Sequence, residues 1–276
     1  MANAPTKPTS PVKKESSSSS GMFATLTIPI CIVVAILIFK FILGDSSHYA
    51  DGDVEKGLPD FFGQIHRGGN LVPVIMSYLL MVIVFSIERF VVIGKASGTG
   101  NVDAFVRKVT AALNAGNIDG AVQECDKQKG SVANVIKSGL KKYKEMEADP
   151  NLTVDQKSLA IQKDIEEATA LEMPMLEQNL TIIATLVSIG TLSGLLGTVF
   201  GMIKAFGELA AAGATNQTAL SASISEALVN TALGISTSAL SIIMYNVFTS
   251  KIDNLTYAID ETGFSIVQTF AASHNK

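Results

Sequence analysis

The chain has 276 residues, of which 47% are hydrophobic and 17% charged, with a mean hydropathy of +0.35. Such a balance points to membrane-spanning segments, while a net charge of −4 excludes an electrostatic nucleic-acid binder. The two cysteines, Cys31 in an apolar run and Cys125 in a charged region, suggest neither a disulfide framework nor a metal cluster.

Residues 1–21 are Ser-, Pro- and Lys-bearing and too poor in apolar side chains to bury anything, which reads as a disordered tail. Phe23 to Leu43 is then nearly all apolar, broken by Pro29 and Lys40. A signal peptide is the rival, but the run is long for one and no small-x-small site closes it. An additional anchoring helix over 22–43 fits better, with Lys40 reaching the interface. Residues 44–70 form a polar loop in which Phe61, Phe62 and Ile65 suggest a brief interfacial helix. His48 and His66 lie there and are expected to be solvated. Residues 71–93 supply the next span, ending in an interfacial Glu88-Arg89 pair.

Residues 94–178 form the one substantial soluble region, with apolar residues at helical spacing in VDAFVRKVTAALNAG, IDGAVQECDKQKG and SVANVIKSGLKKYKEM. Gly116-Asn117 should end one helix and cap the next, and Thr153-x-x-Gln156 is a capping-box start. The helix it opens should run into the third span with a kink at Pro174. Residues 250–276 contain a short amphipathic C-terminal helix. No nucleotide loop, nucleophile–base pair or cofactor motif is present in the sequence.

Charge sets the expected orientation. Twelve of the 21 Lys and Arg residues fall between Arg89 and Lys163, while the 209–220 loop has none. The positive-inside rule then puts the 94–178 region and both termini in the cytoplasm. The expected architecture is an all-α integral membrane protein with four transmembrane helices and a cytoplasmic helical domain.

The stretch at 179–249 is a hairpin whose two arms are long enough to span, yet rich in Gly, Ser and Thr. On a helical wheel, Ser223, Asn230, Thr231, Gly234, Thr237 and Ser238 fall within roughly 140° of Glu226, opposite a leucine- and isoleucine-rich side. Gly190, Gly194, Gly197 and Gly201 share a face of the first arm with Lys204 and Glu208, and Thr191 and Thr198 lie at its margin. Tight packing of small residues accounts for the glycines. It leaves Glu226 unexplained, because a carboxylate at membrane depth normally marks a proton or ion pathway. Lys204 and Glu208, at i and i+4, are expected to form a structural ion pair.

GLLGTVFGMIKAF (Gly194–Phe206), ISEALVNTALGI (Ile224–Ile235) and YNVF (Tyr245–Phe248), in that order, resemble the MotA/TolQ/ExbB proton-channel family, nearest to ExbB and TolQ. The resemblance implies a three-span core, so the 22–43 helix is an addition to it. It matches Thr198 and Thr231 to pore threonines and Glu226 to the acidic residue of the second motif. Asn230, Gly234, Thr237, Ser238, Ser223, Gly190, Gly194, Gly197, Gly201 and Thr191 become pore-lining or packing positions. Thr191 and Leu240 stand where the family usually has proline, so its two helix kinks are not expected here.

By the same resemblance, the chain is an inner-membrane subunit of a Gram-negative bacterium, assembled as a homopentamer around an ExbD-like single-span partner. It would use the proton motive force to drive a TonB-like protein, with no cofactor and no enzymatic step. A TolQ- or MotA-type motor, a non-conducting scaffold and, least well supported, a membrane enzyme are the alternatives.

Overall fold

The computed structural model describes residues 17–54, 57–212 and 217–274. Most of the tail expected over 1–21 lies outside them, as does the hairpin turn itself. Helix α1 (Ser17–Leu37) starts inside that expected tail and continues as a π-helical stretch, Ile38–Leu43. Once the apolar run is helical, extending it backward through serines fixes only one residue per hydrogen bond gained. Helix α2 (Phe61–His66) is short, and α3 (Val72–Ser97) carries Pro73 in its first turn, where a missing N–H costs nothing.

Four helices follow in the charged region: α4 (Val102–Asn114), α5 (Ile118–Gln128), α6 (Gly130–Ala148) and α7 (Val154–Glu177). Their boundaries are chemical. Gly116 takes φ +68° after α4, and Asn117 then accepts from Gly120 N at 2.8 Å to cap α5. Thr153 and Gln156 form the reciprocal capping box of α7 at 3.0 and 3.3 Å.

Pro174 lies inside α7 without ending it, and the helix does not run on into the third span; the chain breaks at Gln178 and Asn179. Asn179 takes φ +64°, a left-handed conformation asparagine tolerates, and donates to Glu88 Oε2 at 3.3 Å. Arg89, 1% exposed, fills the gap: Nη1 donates to the carbonyls of Met175 and Leu176 at 3.1 Å each, while Nε donates to Glu88 at 2.6 Å. The pair expected at the interface is therefore also the C-cap of α7.

Beyond that break run α8 (Leu180–Ala212) and α9 (Gln217–His274). The sequence reading divided α9 at 249/250, but no glycine or proline interrupts it there, and its 58 residues form one helix. Its length is roughly 87 Å at 1.5 Å per residue. One half pairs with α8. The other passes through the α4–α7 bundle, where Ile259, Ile266 and Phe270 pack among Val109, Leu113, Val135, Ile136, Leu140 and Ile161. Each such aliphatic or aromatic side chain contributes about 1.5–3 kcal/mol by leaving water.

Four helical stretches are long and apolar enough to cross a membrane, within Phe23–Leu43, Gly69–Asn114, Val154–Ala210 and Gln217–His274. Their outward side chains include Ile87, Leu192, Ile203, Leu228 and Ile243, all exposed and apolar as lipid contact requires.

Candidate functional site

The seam between α8 and α9 is made by missing side chains. A Cβ on Gly234 would lie 2.6 Å from Gly190 O and 2.7 Å from Gly194 Cα. Gly201 lies against Ala227 and the Ser223 carbonyl, and Gly197 makes room for the Asn230 side chain, so the two helices stay close along this line. Hydroxyls then close the seam. Ser238 Oγ donates to Val187 O at 2.6 Å, Thr191 Oγ1 lies 2.8 Å from Ser238 Oγ, and Thr231 Oγ1 donates to Gly194 O at 3.0 Å. Thr237 and Ser241 are buried and return their hydrogens to carbonyls of their own helix. Most of the polar face read from the sequence thus packs within one chain.

Thr198 and Thr231 differ from that set. Both are half-buried at the margin of the seam. Thr198 Oγ1 donates to Leu195 O at 2.6 Å, and Thr231 spends its hydrogen on Gly194 O or, at 3.3 Å, Ala227 O. Each hydroxyl therefore presents lone pairs only, an acceptor to whatever approaches.

Glu226 departs from expectation in both depth and partner. Residues 226 to 248 rise roughly 33 Å along the helix, about a full hydrocarbon thickness. Phe248 packs edge-on against Phe90 near the charged end of α3, with ring centroids 4.8 Å apart. Glu226 consequently stands at the opposite rim, level with Gly69 just ahead of α3, where any side chain would collide with its carboxylate. Its partner is Lys204, whose Nζ lies 2.9 Å from Glu226 Oε2 across the hairpin. The i, i+4 pairing of Lys204 with Glu208 does not form; Glu208 accepts from Ser223 at 3.1 Å instead.

The sequence reading missed what covers this rim. Asn230, 2% exposed, donates Nδ2 to Gly68 O at 2.8 Å and to Glu226 O at 3.0 Å. Gln64 of α2 donates to Ser225. The 44–70 segment is itself ordered by polar contacts: His48 Nδ1 lies 2.9 Å from Asp60 Oδ2, and Tyr49 Oη 2.8 Å from His66 Nδ1. Neither histidine is the solvated loop residue expected. Burial pushes the His66 imidazole below its ordinary value, and the Gly63 N–H and His48 hold the Asp60 carboxyl low. The available signal was positional, since Lys204 and Glu226 lie almost equally far from the turn at 213–216.

Residues 127–261 match the model of the MotA/TolQ/ExbB proton channel family, a stretch from the end of α5 through most of α9. Biopolymer transport protein ExbB-like 3 of Synechocystis sp. is 34% identical over 88 residues, 31% of this chain and 42% of that protein. TolQ of the Tol-Pal system of Pseudomonas aeruginosa is 27% identical over 124 residues, 45% and 54% of the two chains. Biopolymer transport protein ExbB of Xanthomonas campestris pv. campestris is 28% identical over 102 residues, 37% and 40%. The chain thus spans about half or less of the relatives it matches. The glycine seam, the two marginal threonines and the acidic rim all lie inside the matched stretch. With its apolar spanning helices, this is a multi-pass membrane protein whose residues 127–261 match the MotA/TolQ/ExbB proton channel family.

Proposed function

We propose that the chain is the channel-forming subunit of an ExbB-like complex that uses the proton motive force to energise TonB-dependent transport in a Gram-negative inner membrane. The observation that carries this reading is the pair of half-buried threonines whose donors are already spent. Such hydroxyls favour a neutral carboxylic acid or a water over a carboxylate, since they can accept a hydrogen bond but have no hydrogen to donate. An ExbD-like single-span helix, bearing a carboxyl that is protonated while it crosses, would be received by them. Each elementary charge moved is worth about 2.3 kcal/mol per 100 mV.

In this reading Glu226 and Lys204 act at the periplasmic rim. The Lys204 side chain is largely in water and that of Glu226 largely covered, 56% and 24% exposed, so an arriving proton reaches the carboxyl beside its lysine. Copies of the chain would assemble as a ring, a homopentamer by resemblance, with the bundle and both termini in the cytoplasm. The single long α9 would carry movement between pore and bundle. A TolQ-type role with a different partner is the second reading, supported by the long alignment with Tol-Pal system protein TolQ.

The test is proton flux in vesicles holding the chain with a co-purified single-span partner, read by an internal pH dye. Thr198→Val and Thr231→Val should each reduce flux roughly tenfold while the oligomer survives, one hydrogen bond of about 1 kcal/mol or more being lost from the path. Unchanged flux in both variants would reject the channel reading. Loss of the oligomer together with flux would favour a scaffold.

A further inference from the structure

A cavity of about 520 Å³ opens where α3, α6 and α7 meet, lined by Val92, Lys95, Ser131, Asn134, Glu172 and Met175 among others. It lies at the charged end of α3, beyond Glu88 and Arg89, away from the Glu226 rim. Leu171 and Met175 of its lining are exposed and apolar, and on α3 the exposed Val91 and Ile87 lie one and two turns before Lys95. The cavity floor is the first turn of α6, whose N-cap position is held by Lys129 and has no side-chain cap. The leading N–H groups of such a turn have no intrahelical acceptor and carry the positive end of the helix dipole. Ser131 in that turn is 3% exposed and lines the cavity, and its hydroxyl, in no hydrogen bond among the described residues, opens onto the cavity space. An unpaired hydroxyl beside uncapped amides gives an acceptor in this cavity several donors at once.

The charges in the same cavity narrow what that acceptor belongs to. Lys95, exposed and in no ion pair among the described residues, adds a cation at the mouth. Glu172 stands on the α7 wall; one carboxylate oxygen accepts from Asn134 Nδ2 at 3.3 Å, leaving the other available. A bare anion would be repelled by Glu172. A zwitterion carrying a phosphate and a primary ammonium satisfies both sides, and the apolar border above it supplies a track for acyl chains.

We propose that this cavity is a phospholipid headgroup site selective for phosphatidylethanolamine. The phosphate sits on the α6 amides, Ser131 Oγ and Lys95, the ammonium on Glu172, and the chains along Ile87, Val91, Leu171 and Met175. The assignment is independent of the proton-pathway reading, because it uses no residue of the α8–α9 seam.

The test uses the full-length chain in detergent, with thermal unfolding and native mass spectrometry read against added short-chain phosphatidylethanolamine, phosphatidylcholine, phosphatidylglycerol and inorganic phosphate. Phosphatidylethanolamine should bind roughly tenfold tighter than phosphatidylglycerol, reflecting one charge-assisted contact. Glu172→Gln should erase that preference, and Lys95→Ala should weaken every lipid alike. Both side chains reach the surface, so neither variant threatens the fold; Ser131→Ala, in the buried turn, is read only if its unliganded melting temperature is preserved, and it should then weaken every lipid. Equal affinity for all headgroups, or a preference untouched by Glu172→Gln, overturns the proposal. Protection by inorganic phosphate at the same concentration as lipid overturns it too, assigning the cavity to a free anion.

Discussion

Lys204 Nζ stands 2.9 Å from Glu226 Oε2, although the two residues belong to opposite arms of the α8–α9 hairpin. This contact replaces the reason for which the glutamate first drew notice. An unpaired acid in lipid demands a functional explanation, whereas an ion pair at the rim is already compensated. What remains particular is the asymmetry of exposure, since the lysine is largely in water and the carboxylate largely covered. Removing the cation therefore leaves the more buried partner uncompensated.

A double-mutant cycle expresses this. Lys204→Met should destabilise the hairpin more than Glu226→Gln does, because only the former strands a charge. The coupling energy should be about 0.5–1 kcal/mol, near the upper end for exposed pairs. Thermal unfolding of the four proteins in one detergent measures it, and additive effects would show the pair to be incidental.

The glycine seam makes a sharper prediction. Gly234→Ala puts a methyl 2.6 Å from Gly190 O, where backbone rather than a flexible side chain must move. Separating α8 and α9 would forfeit the hydroxyl bridges as well, so a loss of about 3 kcal/mol or more is expected, each bridge being worth about 1 kcal/mol. Gly207→Ala is the control: nothing lies within 4 Å of its added methyl. Helix propensity alone should make that variant neutral or up to about 1 kcal/mol more stable.

These two glycines show what the sequence could and could not convey. The wheel put Gly190, Gly194, Gly197 and Gly201 on one face of the first arm, and that is the face turned to α9, since periodicity reports which residues share a face. It could not say whether that face looks at a neighbouring helix or at a hydrated axis, because both environments select small and polar residues. Asn230 is a case in point: it is 2% exposed, and what it binds is Gly68 O, a backbone atom in a distant loop that no pattern names. Local signals served best where the chemistry is local. The Thr153–Gln156 box and the Gly116-Asn117 cap formed as expected, whereas Pro174 did not break its helix because Arg89, from another helix, fixes where α7 ends.

Asn230 also ties the rim to the segment that covers it. Asn230→Ala removes the bond to Gly68 O and leaves that carbonyl buried, for a cost of about 1–3 kcal/mol. Amide exchange in residues 61–71 should accelerate while exchange in α6 stays unchanged. Equal protection in both proteins would mean that Gln64 and Ser225 hold the segment without it.

The His66 imidazole gives the covering segment a pH dependence. It is wedged against the Phe39 ring with centroids 4.7 Å apart, hydrogen-bonded to Tyr49 Oη, and shares this pocket with Arg67, whose guanidinium lies 5.4 Å from the Tyr49 ring centroid. His48 and Asp60 pair on the far side of the same segment. Burial lowers the His66 pKa from its ordinary 6.5, so the folded segment holds a neutral ring while the unfolded chain takes up a proton. More protons bound in the unfolded state means stability that is full above 6.5 and declines as the pH falls through and below it. A proton on His66 would also add a second cation beside Arg67, which pushes the same way. Amide exchange in residues 44–70 should therefore quicken between neutral and mildly acidic pH. His66→Gln should flatten that dependence, since glutamine keeps a polar partner for Tyr49 but cannot titrate. The Asp60 carboxyl, held low by Gly63 N–H and His48, keeps its charge across this interval and begins to lose it only below its ordinary 3.8. A slope that persists in the His66→Gln protein would therefore overturn the assignment to His66.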